Sequence, residues 1–360
     1  MDDTNTIHGP MEFQKVVDAY TTGGRNSIEV TSPYFRPGTV LPIVKLNFVF
    51  QGAGLGDYTA YLPALIWNMK NCPWLKCRLF VAPEFMEFAK NILWPWADKM
   101  QVCSILKINE ITGPGEIIRG PGLTMNGTKF AQLANGTGGH LVTLGFMYFC
   151  NLFPPPEGAN KYPVINFEGH DPHLPDSLHP RTYVVITTGG VSENRTVPGA
   201  YWNPIVEHVK SKGLTPVFIG KSEIVKGLPV KFPDGCDYSA GLDLRDKTTL
   251  MQAAWLMKNA ACTVGLDNGM IHLAACTDAV IVAGYNMVHP RERRPNRVAG
   301  KWAEVTLTRE ELACTHCQTN MKSMFPHTFN RCLYGDVKCL DLLFADGARK
   351  WIDAIELVLR

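Results

Sequence analysis

Short apolar runs alternate with amphipathic segments along this chain, in two separate series. The first runs through "IVKLNFVF", "YLPALIWNMKN", "CRLFVA" and "PEFMEFAKNILWPWA". The second runs through "YVVITTGG", "YWNPIVEHVKSKG", "TPVFIG", "KTTLMQAAWLMKNA", "CTVGLD", "GMIHLAACTD" and "AVIVAGY". A strand that is apolar throughout is buried on both faces, and segments of helical period between such strands cover those faces. Each series therefore predicts a parallel sheet wrapped by helices, and the pair predicts two open α/β domains. No repeat of about 20 to 50 residues is evident, which removes solenoids and propellers.

The length of 360 residues agrees with two domains. A glycine-rich stretch, "ITGPGEIIRGPGLTMNGTKFAQLANGTGGH", reads as loops over or beside the first sheet. Proline and histidine then accumulate without periodicity in "NLFPPPEGANKYPVINFEGHDPHLPDSLHP", the expected interdomain connection. The resulting division is an N-terminal extension over 1–40, a first domain over 41–172, a second over 173–340, and a C-terminal segment over 341–360.

The formal net charge of +2 gives no electrostatic case for nucleic acid or an acidic membrane surface. The N-terminus shows no signal-peptide pattern, and no apolar run reaches about 18 residues. Eleven cysteines, scattered and odd in number, argue for reduced thiols and a cytoplasmic location. The sequons at Asn126, Asn135 and Asn194 are then silent as glycosylation sites.

Chemistry concentrates at two turns. In "CTVGLDNGMIHLAA" a strand ends in Asp267 and a helix opens with Asn268, Gly269 and Met270. Unsatisfied backbone N–H groups at a helix start make a seat for phosphate; Gly269 permits close approach, and Asp267 can cap the helix or hold a sugar hydroxyl. His272 follows about one turn later. Plain capping by Asp267 or Asn268, and plain packing by His272, are the competing readings. The other turn is "FQGAGLGDYTAYLPAL", where Gly52, Gly54 and Gly56 alternate but Asp57 stands where a dinucleotide fingerprint needs its third glycine. A carboxylate there would repel a pyrophosphate, which weighs against the dinucleotide reading.

"DLRDKTTL" followed by "VGLDNGMIHLAA", with "GLGDYTAYLPALIWNMKN" in the first half, resembles the heptosyltransferase family of glycosyltransferases. The resemblance covers roughly residues 43 to 90 and 183 to 286. It implies a GT-B fold: two Rossmann-like domains facing across a cleft, with the activated sugar held mainly by the second, the acceptor by the first, and a C-terminal helix that can return to the first. It also makes Asp57 the candidate general base, a role that a carboxylate near an attacking hydroxyl can fill; simple capping by Asp57 stays open.

The leaving diphosphate needs charge stabilisation. The chain lacks the Asp-x-Asp triplet common in metal-dependent transferases, which favours amides and cations. The turn "TTGGVSENRT" offers Thr187, Thr188, Gly189 and Gly190, with Arg195 as a phosphate partner. The family usually has a lysine after this turn, so Arg195 is a departure, as is Asn268 in place of Ser or Thr. In "VFIGKSEIVKG", Lys221 and Glu223 follow a strand, and the resemblance makes Glu223 the candidate ribose contact.

Cys314 and Cys317 in "CTHC", with Cys332 and Cys339, are candidate ligands of a structural zinc, against free or paired thiols; the last gap is wide for a zinc ribbon. The basic run "HPRERRPNR" is either a solvated loop or an anion-binding edge, and is where phosphates would fall were the acceptor a nucleic acid.

The expectation is an inverting, metal-independent glycosyltransferase with a nucleoside-diphosphate sugar as co-substrate, no required cofactor, and a glycan, lipopolysaccharide-core or other hydroxyl acceptor. A non-catalytic GT-B binding module and a nucleotide-sugar epimerase are the alternatives.

Overall fold

A computed structural model describes residues 27–29, 40–42, 45–50, 54–71, 76–110, 116–119, 141–150, 155–168, 175, 178–191, 193–222, 224–225, 228–320, 332 and 334–360. The chain divides into two compact units, Met1–Ala53 with Ala60–Lys161, and Gly54–Thr59 with Tyr162–Arg360.

The first unit holds a four-stranded parallel sheet of β1 (Lys45–Val49), β2 (Cys77–Val81), β3 (Met100–Ser104) and β4 (Glu116–Arg119), in spatial order β3-β2-β1-β4. Strand β4 lies inside the glycine-rich stretch expected to be loops. Four residues flanked by glycine and proline are too few to show a period, and pairing with β1 rather than local pattern makes them a strand. The helix after β1, α1 (Leu55–Asn71), carries Pro63 inside it. Phe48, Leu62, Leu65, Leu79, Phe80 and Phe88 form a buried core around the sheet. A second helix, α2 (Leu141–Cys150), crosses α1 at Gly145, where an added methyl would meet the Tyr61 Cα at 2.9 Å. The Asn68 amide, buried in α1, donates to the Ala64 carbonyl and to the Cys150 sulfur, so its polarity is used locally.

The second unit holds six parallel strands: β5 (Tyr183–Thr187), β6 (Thr215–Phe218), β7 (Leu242–Asp243), β8 (Cys262–Leu266), β9 (Ile281–Tyr285) and β10 (Trp302–Thr306). Their spatial order is β7-β6-β5-β8-β9-β10, so counted from β5 it is 3-2-1-4-5-6, the doubly wound order. Strand order reverses between β5 and β8. The crevice beyond the carboxyl ends at such a reversal is where open α/β sheets take ligands.

Helices α3 (Asn203–Ser211), α4 (Leu250–Asn259) and α5 (Gly269–Ala275) connect these strands. Helix α4 starts with a capping box in which the Thr249 hydroxyl accepts from the Gln252 N–H and the Gln252 side chain from the Thr249 N–H. The C-terminal helix α6 (Ala345–Leu359), for which a return toward the first domain was one expectation, packs into the second unit's core. There Trp202, Phe344 and Trp351 pack ring on ring with centroids 5.1 to 5.7 Å apart. Gly284 in β9 makes room for Trp351, because an added methyl would sit 2.5 Å from that indole. Among the described residues no helix is long and apolar enough to cross a membrane.

Candidate active site

The strand reversal in the second unit places Thr187 and Thr188, at the end of β5, beside Asp267 and Asn268, which follow β8. Both threonines are buried and tied to protein: the Thr187 hydroxyl donates to the Val264 carbonyl and accepts from the Asn268 amide, both at 3.4 Å, and the Thr188 hydroxyl lies 3.1 Å from the Tyr238 hydroxyl. These two residues shape the turn from within. Gly189 is packed against Val230 and Phe232, where an added methyl would be crowded at 3.2 Å.

Asn268 is the N-cap of α5. Its Oδ1 accepts from the N–H groups of Met270 and Ile271 at 2.9 and 3.2 Å, so the departure from Ser or Thr preserves the cap and occupies one of the three expected phosphate donors, Met270. Gly269 is required by close approach: an added methyl would stand 2.9 Å from the Leu55 Cβ.

His272 has both ring nitrogens engaged by protein. Nε2 faces the Asp267 Oδ1 at 3.2 Å and Nδ1 the Tyr162 hydroxyl at 2.8 Å, and the imidazole is 2 % exposed. Its place is beneath the turn, holding Asp267. Burial alone would push the Asp267 carboxyl up. The His272 hydrogen bond and the Arg195 and Arg293 charges outweigh it and hold the group well below the usual carboxylate range.

Asp57 stands in the first turn of α1, three residues after Gly54, and its Oδ2 accepts from the Gly54 N–H at 3.3 Å. The capping role is thus real, and it uses one oxygen. The other faces the Arg293 guanidinium at 3.9 Å, with both side chains about one-fifth exposed. Arg195, in the short turn Glu193–Arg195, lies within electrostatic reach of Asp267, Arg293 and Asp57; burial lowers its pKa and the two carboxylates oppose that. Two carboxylates and two guanidiniums are therefore within electrostatic reach of one another here. Arg293, from the basic run, was not singled out in the sequence. Only its occurrence among four arginines of that run pointed to it.

Lys221 is exposed beyond β6, where the Asp246 carboxylate holds the neighbouring Ser222 through its N–H and hydroxyl. Glu223 lies outside the described residues. Arg245, which precedes Asp246 in the chain, pairs through two nitrogens with Asp243 and stacks on Tyr238 with its guanidinium 3.3 Å from the ring centroid.

Cys314, Cys317, Cys332 and Cys339 are near enough to act on one another: burial pushes the Cys339 thiol up to about 11, and Cys317, Cys332 and Cys314 add to the rise against a lowering hydrogen bond from Asn286. Among the described residues no group of three or more His, Cys, Asp or Glu side chains is placed to hold a metal ion.

The model of glycosyltransferase family 9 (heptosyltransferase) matches residues 151–325. No curated protein matches the chain by sequence. Among solved structures, the iron-containing dodecameric glycosyltransferase TibC from enterotoxigenic E. coli H10407 is similar at 16% identity and a TM-score of 0.66, over 93% of this chain and 83% of that one. TibC in complex with ADP-D-beta-D-heptose gives 16% and 0.65 over the same shares. The family 9 glycosyl transferase from Veillonella parvula DSM 2008 gives 13% and 0.55, over 89% of this chain and 98% of that one. Residues 151–325, just under half of the chain, are thus similar to glycosyltransferase family 9, and the chain has the GT-B-type fold of these solved structures.

Proposed function

We propose that the chain is an inverting glycosyltransferase that moves a sugar from a nucleoside-diphosphate sugar to an acceptor hydroxyl, with Asp57 as general base and without a catalytic metal. The observation that carries this reading is the placing of Asp57 and Arg293 beside Arg195 and Asp267 at the strand reversal. In a single displacement the acceptor oxygen bonds to the anomeric carbon while the bond from that carbon to the diphosphate oxygen breaks. The electron pair leaves on the diphosphate, and the acceptor proton passes to the Asp57 carboxylate. One carboxylate suffices, because attack opposite the leaving group inverts the centre without an enzyme nucleophile.

The developing charge on the diphosphate falls to Arg195 and Arg293, two cations already held in place. The Gly269 N–H adds a backbone donor, and the buried Thr187 and Thr188, with the half-buried Gly189, form the wall of the seat. Lys221 and Glu223 are assigned to the nucleoside side. The donor falls to the C-terminal domain expected over 173–340 and the acceptor to the N-terminal domain expected over 41–172. ADP-heptose, the ligand of TibC, is the donor to try first. The acceptor class is a glycan or other hydroxyl-bearing molecule.

TibC is named as iron-containing, and the four neighbouring thiols are the donor set in this chain that suits a soft metal. Iron or zinc held there would tie residues 314–317 to 332–339; proton transfer and departure remain with Asp57 and the arginines.

The test is turnover of ADP-heptose, with water or an added glycan as acceptor, by the wild type and Asp57→Asn. The variant is expected to bind ADP as the wild type does and to lose transfer. Undiminished turnover by Asp57→Asn would remove the base assignment, and release of epimerised donor without ADP would favour the epimerase.

A further inference from the structure

We propose that Tyr162 is a positioning residue for transfer, acting through His272 on both the donor turn and the first turn of α1, which carries Asp57. This rests on the reading of Asp57 as the base. Tyr162 is 1 % exposed, its ring lies 5.9 Å from the His272 ring at 24°, and its hydroxyl meets His272 Nδ1 at 2.8 Å. With Asp267 an anion, Nε2 carries the imidazole proton toward it, so Nδ1 accepts from Tyr162. The phenol thereby selects one tautomer and one ring plane.

That ring plane matters at two places. On one edge Nε2 holds Asp267, which faces Arg195 and Arg293. The carbon bonded to Nε2, Cδ2, lies against Gly56, the residue before Asp57, so closely that an added methyl would stand at 3.0 Å. The Tyr162 backbone completes the frame. Its N–H donates to the Asn296 carbonyl at 2.7 Å in the basic run that carries Arg293, and the Ile165 N–H donates to the Cys276 carbonyl just after α5. One segment, 162–165, thus secures the histidine, the arginine loop and the end of the donor helix together.

Tyr162→Phe removes the hydroxyl and keeps the ring, so packing is retained. The Nδ1 acceptor then has no donor in a buried site, and the ring loses one of its two tethers. With ADP-heptose and water as acceptor, kcat is expected to fall about ten- to a hundredfold while ADP affinity changes less than about threefold. If Tyr162 acts through His272, adding Tyr162→Phe to His272→Gln costs little further; independent roles would multiply. A second readout needs no turnover: nitrogen NMR of the imidazole should show Nε2 protonated and Nδ1 an acceptor.

Wild-type kcat in Tyr162→Phe, a multiplying double variant, or a protonated Nδ1 in neutral His272 would each overturn the proposal. Asp57→Asn in the same assay separates the two claims. If it is inactive while Tyr162→Phe is unaffected, the base stands and the Tyr162 proposal fails; if it is active, the underlying reading fails first.

Discussion

Gly56 lies flat against the edge of His272, leaving 3.0 Å between an added methyl and Cδ2 of the ring. A flexible neighbour would give way, but this imidazole is held at both nitrogens by Asp267 and Tyr162. Gly56→Ala should therefore push the first turn of α1, and Asp57 with it, away from the donor turn. The expected cost is about 1 to 3 kcal/mol of stability, the range for overpacking, together with loss of most turnover. Thermal unfolding and donor hydrolysis on the same preparation check both parts, and an alanine variant matching the wild type in each would show that the ring yields.

The two arginines predict a binding defect rather than a folding one. A charge-assisted hydrogen bond to phosphate contributes about 1.5 to 3 kcal/mol, so Arg195→Ala and Arg293→Ala should each weaken ADP binding roughly ten- to a hundredfold. Arg195→Lys should recover part of the loss, because the site needs a cation there even without the planar fork. Calorimetric titration with ADP measures this directly. Unchanged affinity in both alanine variants would place the diphosphate elsewhere.

The alternation of "YVVIT", "TPVFI", "CTVGL" and "AVIVAGY" with helical segments was legible because each strand is buried on both faces, which leaves an uninterrupted apolar run. Glu116–Arg119, Leu242–Asp243 and Trp302–Thr306 were not, being short, edge-placed or mixed in polarity: Trp302–Thr306 alternates buried with part-exposed residues, and Leu242–Asp243 is two residues long. At the site, the "GD" loop and the "DNG" turn were readable as local patterns. Tyr162, Arg293 and the His272 tether were not, since each depends on a contact between residues far apart in the chain, and tyrosine or arginine in a loop carries no local signature.

Asp267 predicts a definite pH dependence. Its folded-state pKa is depressed: burial opposes the charge, but His272, Arg195 and Arg293 favour it more strongly. The unfolded value is about 3.9, so the stabilisation is fully present above about pH 5. It is lost as pH falls through the 3.9 region toward the depressed folded value, because the unfolded chain takes up the proton first. Asp267→Asn lacks this contribution. The stability difference between wild type and variant should therefore be largest near neutrality and narrow between about pH 5 and pH 2.5. Urea unfolding, followed through the buried Trp202 and Trp351, gives the comparison, and a difference constant across that range would mean that Asp267 is not ionised in the fold.

The thiols of Cys314, Cys317, Cys332 and Cys339 present the opposite electrostatic situation, in which burial and mutual repulsion raise the pKa values of Cys314 and Cys339. Ionising several of these thiols together without a cation would be unfavourable. A divalent or trivalent metal reverses the sign of that interaction and takes thiolates as ligands, so binding and deprotonation reinforce each other. A zinc site here would show as about one equivalent of zinc in the purified chain, the stoichiometry of a four-thiolate site. Cys314→Ser and Cys339→Ser should each lower that content and the thermal stability together, while ADP affinity in the remaining folded protein stays near wild type. Elemental analysis of protein isolated without chelator decides the matter. Metal-free protein whose serine variants unfold at the wild-type temperature would leave the four cysteines as neighbouring free thiols.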